Sequence, residues 1–366
     1  MHRFRYGAYL YKEQVAELVA PHPDTLRLVI SWLERSGVSS PISTTHSGGW
    51  LTVTRIPVFQ ANDLLGASYQ VYQYSGTTKT ILRTLGYSLP AALHEHVRTV
   101  VPTTYFSPRH TSQQTLHKRS MKEANANATP ERPVTAFSSR DDDPEVVPAV
   151  LRDLYDTAAY VPTAIDKNVL AVAGYVGDKP SPVDLATFMG KYRIDVQATS
   201  FPFPVDQVNN GPNDPDNPTA EANMNVQYVE GMAYPTPIVY FIGGESDWAE
   251  ESNLPSSTDP DQVWLKYLLE LPKVPQTISI SYGNTELGFP LEYTYALCEL
   301  FARLGARGAS VLLATGDFGV GPAECKDTGP EQFVPIFPAS CKCVLRASNA
   351  KAQVQFARQT ARSVRH

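Results

Sequence analysis

The stretch SVLLATGDFGVG (Ser310–Gly321) is a run of apolar β-formers that stops abruptly at an acidic residue, Asp317, set among glycines. An apolar run of this length, bounded by glycine, reads as a strand buried on both faces. Working outward, NVLAVAGYV (168–176) has the same character, and further strands are expected at 236–242 and 276–281. Helical patterns alternate with them. SPVDLATFMGKYR (181–193) opens with Ser181 as cap, Pro182 in the first turn and Asp184 at the capping-box position; others cover 261–270 and 291–304. Apolar strands separated by amphipathic helices imply an α/β fold with a parallel sheet covered on both faces. Ligands bind such sheets at the carboxyl ends of the strands, so Asp317 stands where an active site is expected.

The 366 residues are long enough for two domains, and 42% hydrophobic with 19% charged residues excludes a disordered or fibrous chain. Net charge is unevenly placed. Residues 342–366 hold six of the 31 Lys and Arg and no acid, which leaves 25 basic against 37 acidic residues in the first 341. So acidic a body argues against nucleic acid or an anionic membrane as partner. No apolar run reaches the roughly 20 residues of a membrane span, and the start, MHRFRYGAYLYKEQVAE, lacks the apolar stretch of a secretory signal.

Four regimes are expected. Residues 1–117 carry a helical pattern over 12–33, interrupted by Pro21 and Pro23, a strand at WLTVTRIPV (50–58), a helix near 58–66 and an alternating strand at 68–74. This order predicts a small α+β domain with an antiparallel sheet. Residues 118–144 are polar and pattern-breaking, an exposed linker with a dibasic Lys118-Arg119 and a glycosylation sequon at Asn127. The alternating α/β part covers 145–341, and 342–366 is a basic tail.

All eight histidines except His366 precede Arg119, so the α/β part cannot assemble a Ser-His-Asp triad or a histidine metal site from its own residues. Acid–base work there falls to carboxylates. Glu221 and Asn225 lie four apart in a segment of helical spacing and share a face. The glycines of TGDFGVG read G-x-x-G-x-G, the wrong spacing for a dinucleotide site, and no phosphate-loop lysine follows. From the residues alone, a solvated helix face and a plain turn after a strand remain open for both places. The cysteines, Cys298, Cys325, Cys341 and Cys343, suit neither a zinc ribbon nor a disulfide-dense module.

EANMNVQY (221–228), ISISYGNTE (278–286), LFARLGARGASVLLATGDFGVG (300–321) and FVPIFPASC (333–341), in this order, resemble the sedolisins, the serine-carboxyl peptidases, and especially their fungal tripeptidyl-peptidase branch. LYKEQVAELVAPHPDTL (10–26) and WLTVTRIPVFQANDLLGASYQVY (50–72) resemble that family's activation prodomain. The resemblance implies a ferredoxin-like prodomain that inhibits until cleaved, then a subtilisin-like catalytic domain, in a secreted, monomeric enzyme that acts on proteins or peptides in acid. It implies Glu221 as general base and Asp317 as a protonated oxyanion donor. It places Tyr282 and Gly283 on the substrate cleft and joins Cys325 to Cys341. Two departures stand out. Asn225 occupies the family's aspartate position. No serine lies in the Gly-Thr-Ser turn that supplies the nucleophile, Ser348 and Ser363 included, and the calcium loop that would hold the family's metal has no counterpart after Cys341. An inactive, poorly folded chain whose tail is foreign to the fold is therefore expected.

Overall fold

In the computed structural model, six parallel strands lie side by side in the order 345–347, 310–314, 277–280, 170–174, 238–243 and 205–208. Described are residues 7–45, 47, 49–73, 80–106, 146–175, 177–198, 200–243, 260–316 and 335–347. In chain order these strands are β5 (Leu170–Gly174), β6 (Val205–Val208), β7 (Ile238–Gly243), β8 (Thr277–Ile280), β10 (Ser310–Ala314) and β12 (Leu345–Ala347). The chain runs from β5 out to the edge at β6, returns through β7, and then builds β8, β10 and β12 on the other side of β5. The winding therefore reverses between β5 and β8, which opens a crevice at their carboxyl ends.

Side chains alternate across the sheet as the pleat demands. Ala171 and Ala173 of β5, Phe241 of β7, Ile278 and Ile280 of β8 and Val311 and Leu313 of β10 all join one core. Packed into it are Trp264, Leu265 and Leu268 of α7 (Pro260–Glu270) and Leu297, Leu300, Phe301 and Leu304 of α8 (Leu291–Ala306). On the opposite face Val172, Ile238, Tyr240 and Ile242 meet Ala222 and Val226 of α6 (Ala220–Ala233). Helix α4 (Pro148–Leu154) precedes β5, and helix α5 (Pro182–Tyr192) starts as the sequence predicts, with Ser181 Oγ accepting the Asp184 N–H at 3.3 Å and Pro182 in the first turn. It buries Leu185 and Met189 against Phe201.

The N-terminal region contains α1 (Lys12–Leu18), α2 (Pro23–Arg35), β1 (Ile42–Thr44), β2 (Leu51–Val53), α3 (Val58–Leu65), β3 (Gln70–Gln73) and β4 (Thr80–Arg83). Pro21 and Pro23 split the long helical pattern, and Pro23 sits in the first turn of α2. The strand expected over 50–58 is shorter. Arg55 takes a positive φ of 60° and Pro57 precedes α3, so pairing stops at Val53. The described residues form two antiparallel pairs, β1-β2 and β3-β4, as expected of an α+β region.

This region lies against α7 and α8. Leu10 N–H donates to Ala306 O at 3.0 Å, Lys12 Nζ reaches Glu270 at 2.6 Å, and Arg98 pairs with Glu299. Lys266 Nζ stands 4.3 Å from the Trp50 ring centroid. Such partly exposed ion pairs contribute little each, and stacking of Tyr105 on Phe289, centroids 4.6 Å apart, adds apolar contact. Among the described residues no helix is long and apolar enough to cross a membrane.

Two expectations about the end of the chain need correction. Cys341 is bonded to Cys298, not to Cys325, which lies outside the described residues. Helix α8 carries Cys298 to a Cα–Cα distance of 5.3 Å from Cys341, within bridging range. The tail is also not wholly foreign to the fold, because Leu345–Ala347 pairs in parallel with β10, Leu312 opposite Leu345. The linker residues Lys118, Arg119 and Asn127 lie outside the described residues.

Glu230, on α6, is 8% exposed, and burial pushes its carboxyl from 4.5 up to about 7, a rise that Arg193 partly offsets. A carboxyl that holds its proton longer in the fold than in the unfolded chain favours folding below the unfolded value. That advantage is lost as pH rises through the folded one. Stability should fall between about pH 4.5 and 7, by on the order of 3 kcal/mol from this group. In Glu230→Gln the difference between urea midpoints at pH 4.5 and 7.5 should shrink accordingly.

Candidate active site

The crevice is assembled by a clamp between two helix starts. Helix α6 begins after Thr219, whose N–H donates to Lys179 O at 2.9 Å and whose Oγ1 accepts the Lys179 N–H at 3.1 Å. One turn in, Asn223 accepts the Ser181 N–H at 2.9 Å and donates to Asp184 Oδ2 at 2.6 Å. These bonds fasten the loop after β5, and the start of α5, to the first turn of α6. Glu221 belongs to that turn, 5% exposed, where the helix dipole favours a carboxylate.

Asn225, 8% exposed, lies on the same face and donates from Nδ2 to Glu221 Oε1 at 3.1 Å. Its Oδ1 accepts from Ser281 Oγ, just past β8, at 2.9 Å. A hydrogen-bonded chain thus runs from the end of β8 to Glu221.

A second carboxylate stands beside this chain. Asp178, 7% exposed after β5, accepts from Tyr282 OH at 2.6 Å, and its backbone carbonyl accepts from Tyr240 OH at 3.2 Å. Burial drives the Tyr282 hydroxyl well above its ordinary range, and the neighbouring Tyr240, Asp178 and Glu221 reinforce this. Tyr240 is raised too, first by burial and then by the Asp178 and Glu221 charges. Both phenols therefore remain donors at acid and neutral pH. The ring of Tyr282 packs 4.8 Å from that of Tyr175.

The residues expected from sequence are partly brought together. Glu221 and Asn225 are bonded. Tyr282 is close to them, 3% exposed, with its hydroxyl bonded to Asp178. Gly283 follows where β9 (Asn284–Thr285) pairs with β11 (Ile336–Phe337). A Cβ at Gly283 would lie 2.6 Å from Ile336 Cγ2 and 3.0 Å from Phe337 O, so only glycine lets these segments meet. Gly316, with φ +89°, turns the chain at the end of β10, and Asp317 lies outside the described residues. Among the described residues no group of three or more His, Cys, Asp or Glu could hold a metal.

Sequence reasoning missed Asp178, Ser281 and Tyr240. Asp178 had a usable signal, since it follows an apolar run as Asp317 does. Tyr240 looks like any other core position of its strand. Chemically, the arrangement is a buried carboxylate held by an amide donor and flanked by a second carboxylate, suited to accepting a proton.

Comparison with known proteins bears on what this crevice belongs to. Residues 2–106 match the Pro-kumamolisin activation domain. Over 353 residues the chain is 32% identical to Tripeptidyl-peptidase SED2 of Arthroderma otae, covering 93% of this chain and 58% of that protein. In sequence the chain is similar to fungal tripeptidyl-peptidases. Tripeptidyl-peptidase SED3 of the same organism is 30% identical over 351 residues, again 93% of this chain and 56% of the relative. The chain thus spans a little over half the length of these tripeptidyl-peptidase relatives. Among solved structures it is similar to Pseudomonas sedolisin, a serine-carboxyl proteinase complexed with pseudo-iodotyrostatin, at TM-score 0.40 and 17% identity over 55% of this chain and 52% of that one. The activation-domain match covers α1 to β4 and the segment that follows.

Tyr282→Phe should lower stability by about 1–3 kcal/mol, because it leaves buried Asp178 without its phenol donor. Urea denaturation of the two proteins measures this.

Proposed function

We propose that the chain is a peptidase precursor of the sedolisin type, whose intact form releases tripeptides from protein N-termini in acid through a serine acyl-enzyme. The observation that carries this reading is the buried Glu221 bonded to Asn225 at the point where the sheet reverses its winding. In this reading Glu221 takes the proton of the nucleophile. Asp317 donates to the developing oxyanion while it keeps its own proton, which suits acidic surroundings. Asp178, held by Tyr282, lends a second negative group to the same crevice. The region matching the activation domain acts as an intramolecular inhibitor, consistent with its seat on α7 and α8. The disulfide between Cys298 and Cys341 supports an oxidising, extracellular setting.

No serine of this sequence lies in a Gly-Thr-Ser turn, so the 366-residue chain is proposed not to hydrolyse peptides by itself. A second reading rests on that same point together with the docked N-terminal region: the chain binds and restrains active relatives.

At pH 4 the purified chain should release no tripeptide from a fluorogenic tripeptide substrate. Added to an active fungal tripeptidyl-peptidase, it should inhibit in a dose-dependent way if the second reading holds, and leave the rate unchanged if it does not. Release that disappears in Glu221→Gln would overturn the proposed inactivity and retain the site; release that persists in that variant would overturn the role of Glu221.

A further inference from the structure

The amide of Asn225 sits between a carboxyl and a hydroxyl. As placed, Nδ2 donates to Glu221 Oε1 at 3.1 Å and Oδ1 accepts from Ser281 Oγ at 2.9 Å. The reversed amide would set Oδ1 against the Glu221 carboxylate, two acceptors face to face, unless Glu221 carried a proton. It would also require Ser281 to accept instead of donate. A hydroxyl can do either. The orientation of the amide and the proton on Glu221 are therefore linked through Ser281. With Glu221 5% and Asn225 8% exposed, bulk water is poorly placed to replace a bond that is lost.

We infer that Ser281 is a positioning residue: its hydroxyl holds the Asn225 amide with the NH2 toward Glu221 and so makes Asn225 a fixed hydrogen-bond donor to that carboxylate. The inference deepens the reading of Glu221 as proton acceptor and rests on it. Ser281 lies at the carboxyl end of β8 and Asn225 one turn into α6, so the link also ties the central strand to the helix that carries Glu221.

A donor that contacts the charged form favours that form. Glu221 should then take up its proton in a single step, at lower pH than it would facing an acidic side chain at position 225. The charge of Glu221 acts on Tyr240 and Tyr282, which also feel Asp178. Both tyrosines are held protonated by burial, so neither changes its charge as Glu221 takes up its proton.

The test needs no substrate. Full-length chain labelled at the glutamate 13Cδ is titrated by NMR, with the Glu221 resonance assigned by its loss in Glu221→Gln. The expected result is one proton-uptake step in the wild type. In Asn225→Asp the midpoint should rise by about one pH unit and a second step should appear as the two carboxyls share a proton. Ser281→Ala should raise the midpoint by a smaller amount, and Ser281→Thr, which keeps the hydroxyl, should restore it. A purely structural Ser281 would lower the melting temperature in Ser281→Ala and leave the Glu221 midpoint unmoved, and that outcome overturns the inference. If Ser281→Ala does not fold, the Asn225→Asp midpoint decides, and its coincidence with wild type is equally fatal. Because the readout is proton uptake, a chain that fails as a peptidase still reports on the amide, and the two failures are separable.

Discussion

The site depends on the clamp between the loop after β5 and the first turn of α6. Four hydrogen bonds, exchanged among Lys179, Ser181, Asp184, Thr219 and Asn223, join two helix starts that the sequence separates by almost forty residues. Each satisfies a polar group that would otherwise be left at a helix start or in a loop, and such groups are costly when buried. The consequence reaches beyond stability. The clamp fixes both the rotation and the depth of α6, and with them the place where Glu221 enters the crevice. Asp178 lies immediately before the clamped segment, so the same bonds set the spacing of the two carboxylates.

The sheet supplies the other half of the arrangement. Strands β5 and β8 are neighbours although three crossovers lie between them in the chain. That pairing brings Asp178 next to Tyr282, and Ser281 within reach of Asn225. The core beneath is apolar on both faces. The polar groups at the strand ends therefore have few alternatives to one another, and this favours a closed set of partners over a solvated one. On the far side, α7 and α8 carry the N-terminal region on a mixture of ion pairs, aromatic stacking and backbone bonding. Such an interface holds without fusing the two parts into one core.

Much of the α/β part was legible because its strands are buried on both faces and read as apolar runs. Val311 and Leu313 in β10, and Ala171 to Ala173 in β5, needed no context. The start of α5 was equally plain, since Ser181, Pro182 and Asp184 act locally. The N-terminal strands were less so. The apolar pattern of 50–58 continues through a positive-φ turn at Arg55 that propensity does not announce. The partner of Cys341 was not readable either, because it depends on which face of α8 turns toward the end of the chain. Of the site, Glu221 and Asn225 could be paired from their spacing of four, which is a property of one helix. Asp178 follows an apolar strand and could have been flagged on that ground, whereas Ser281 and Tyr240 entered only through strand pairing and crossover geometry, which no local pattern encodes.

The most direct measurement is hydrogen exchange at the Lys179 and Ser181 amides of the wild-type chain, followed residue by residue by NMR. If the clamp positions the site, both amides exchange as slowly as those of β5, although they lie in a loop. Rapid exchange at both, with β5 itself protected, would mean that the loop is not fastened to α6, and the account of how Glu221 is placed would be wrong.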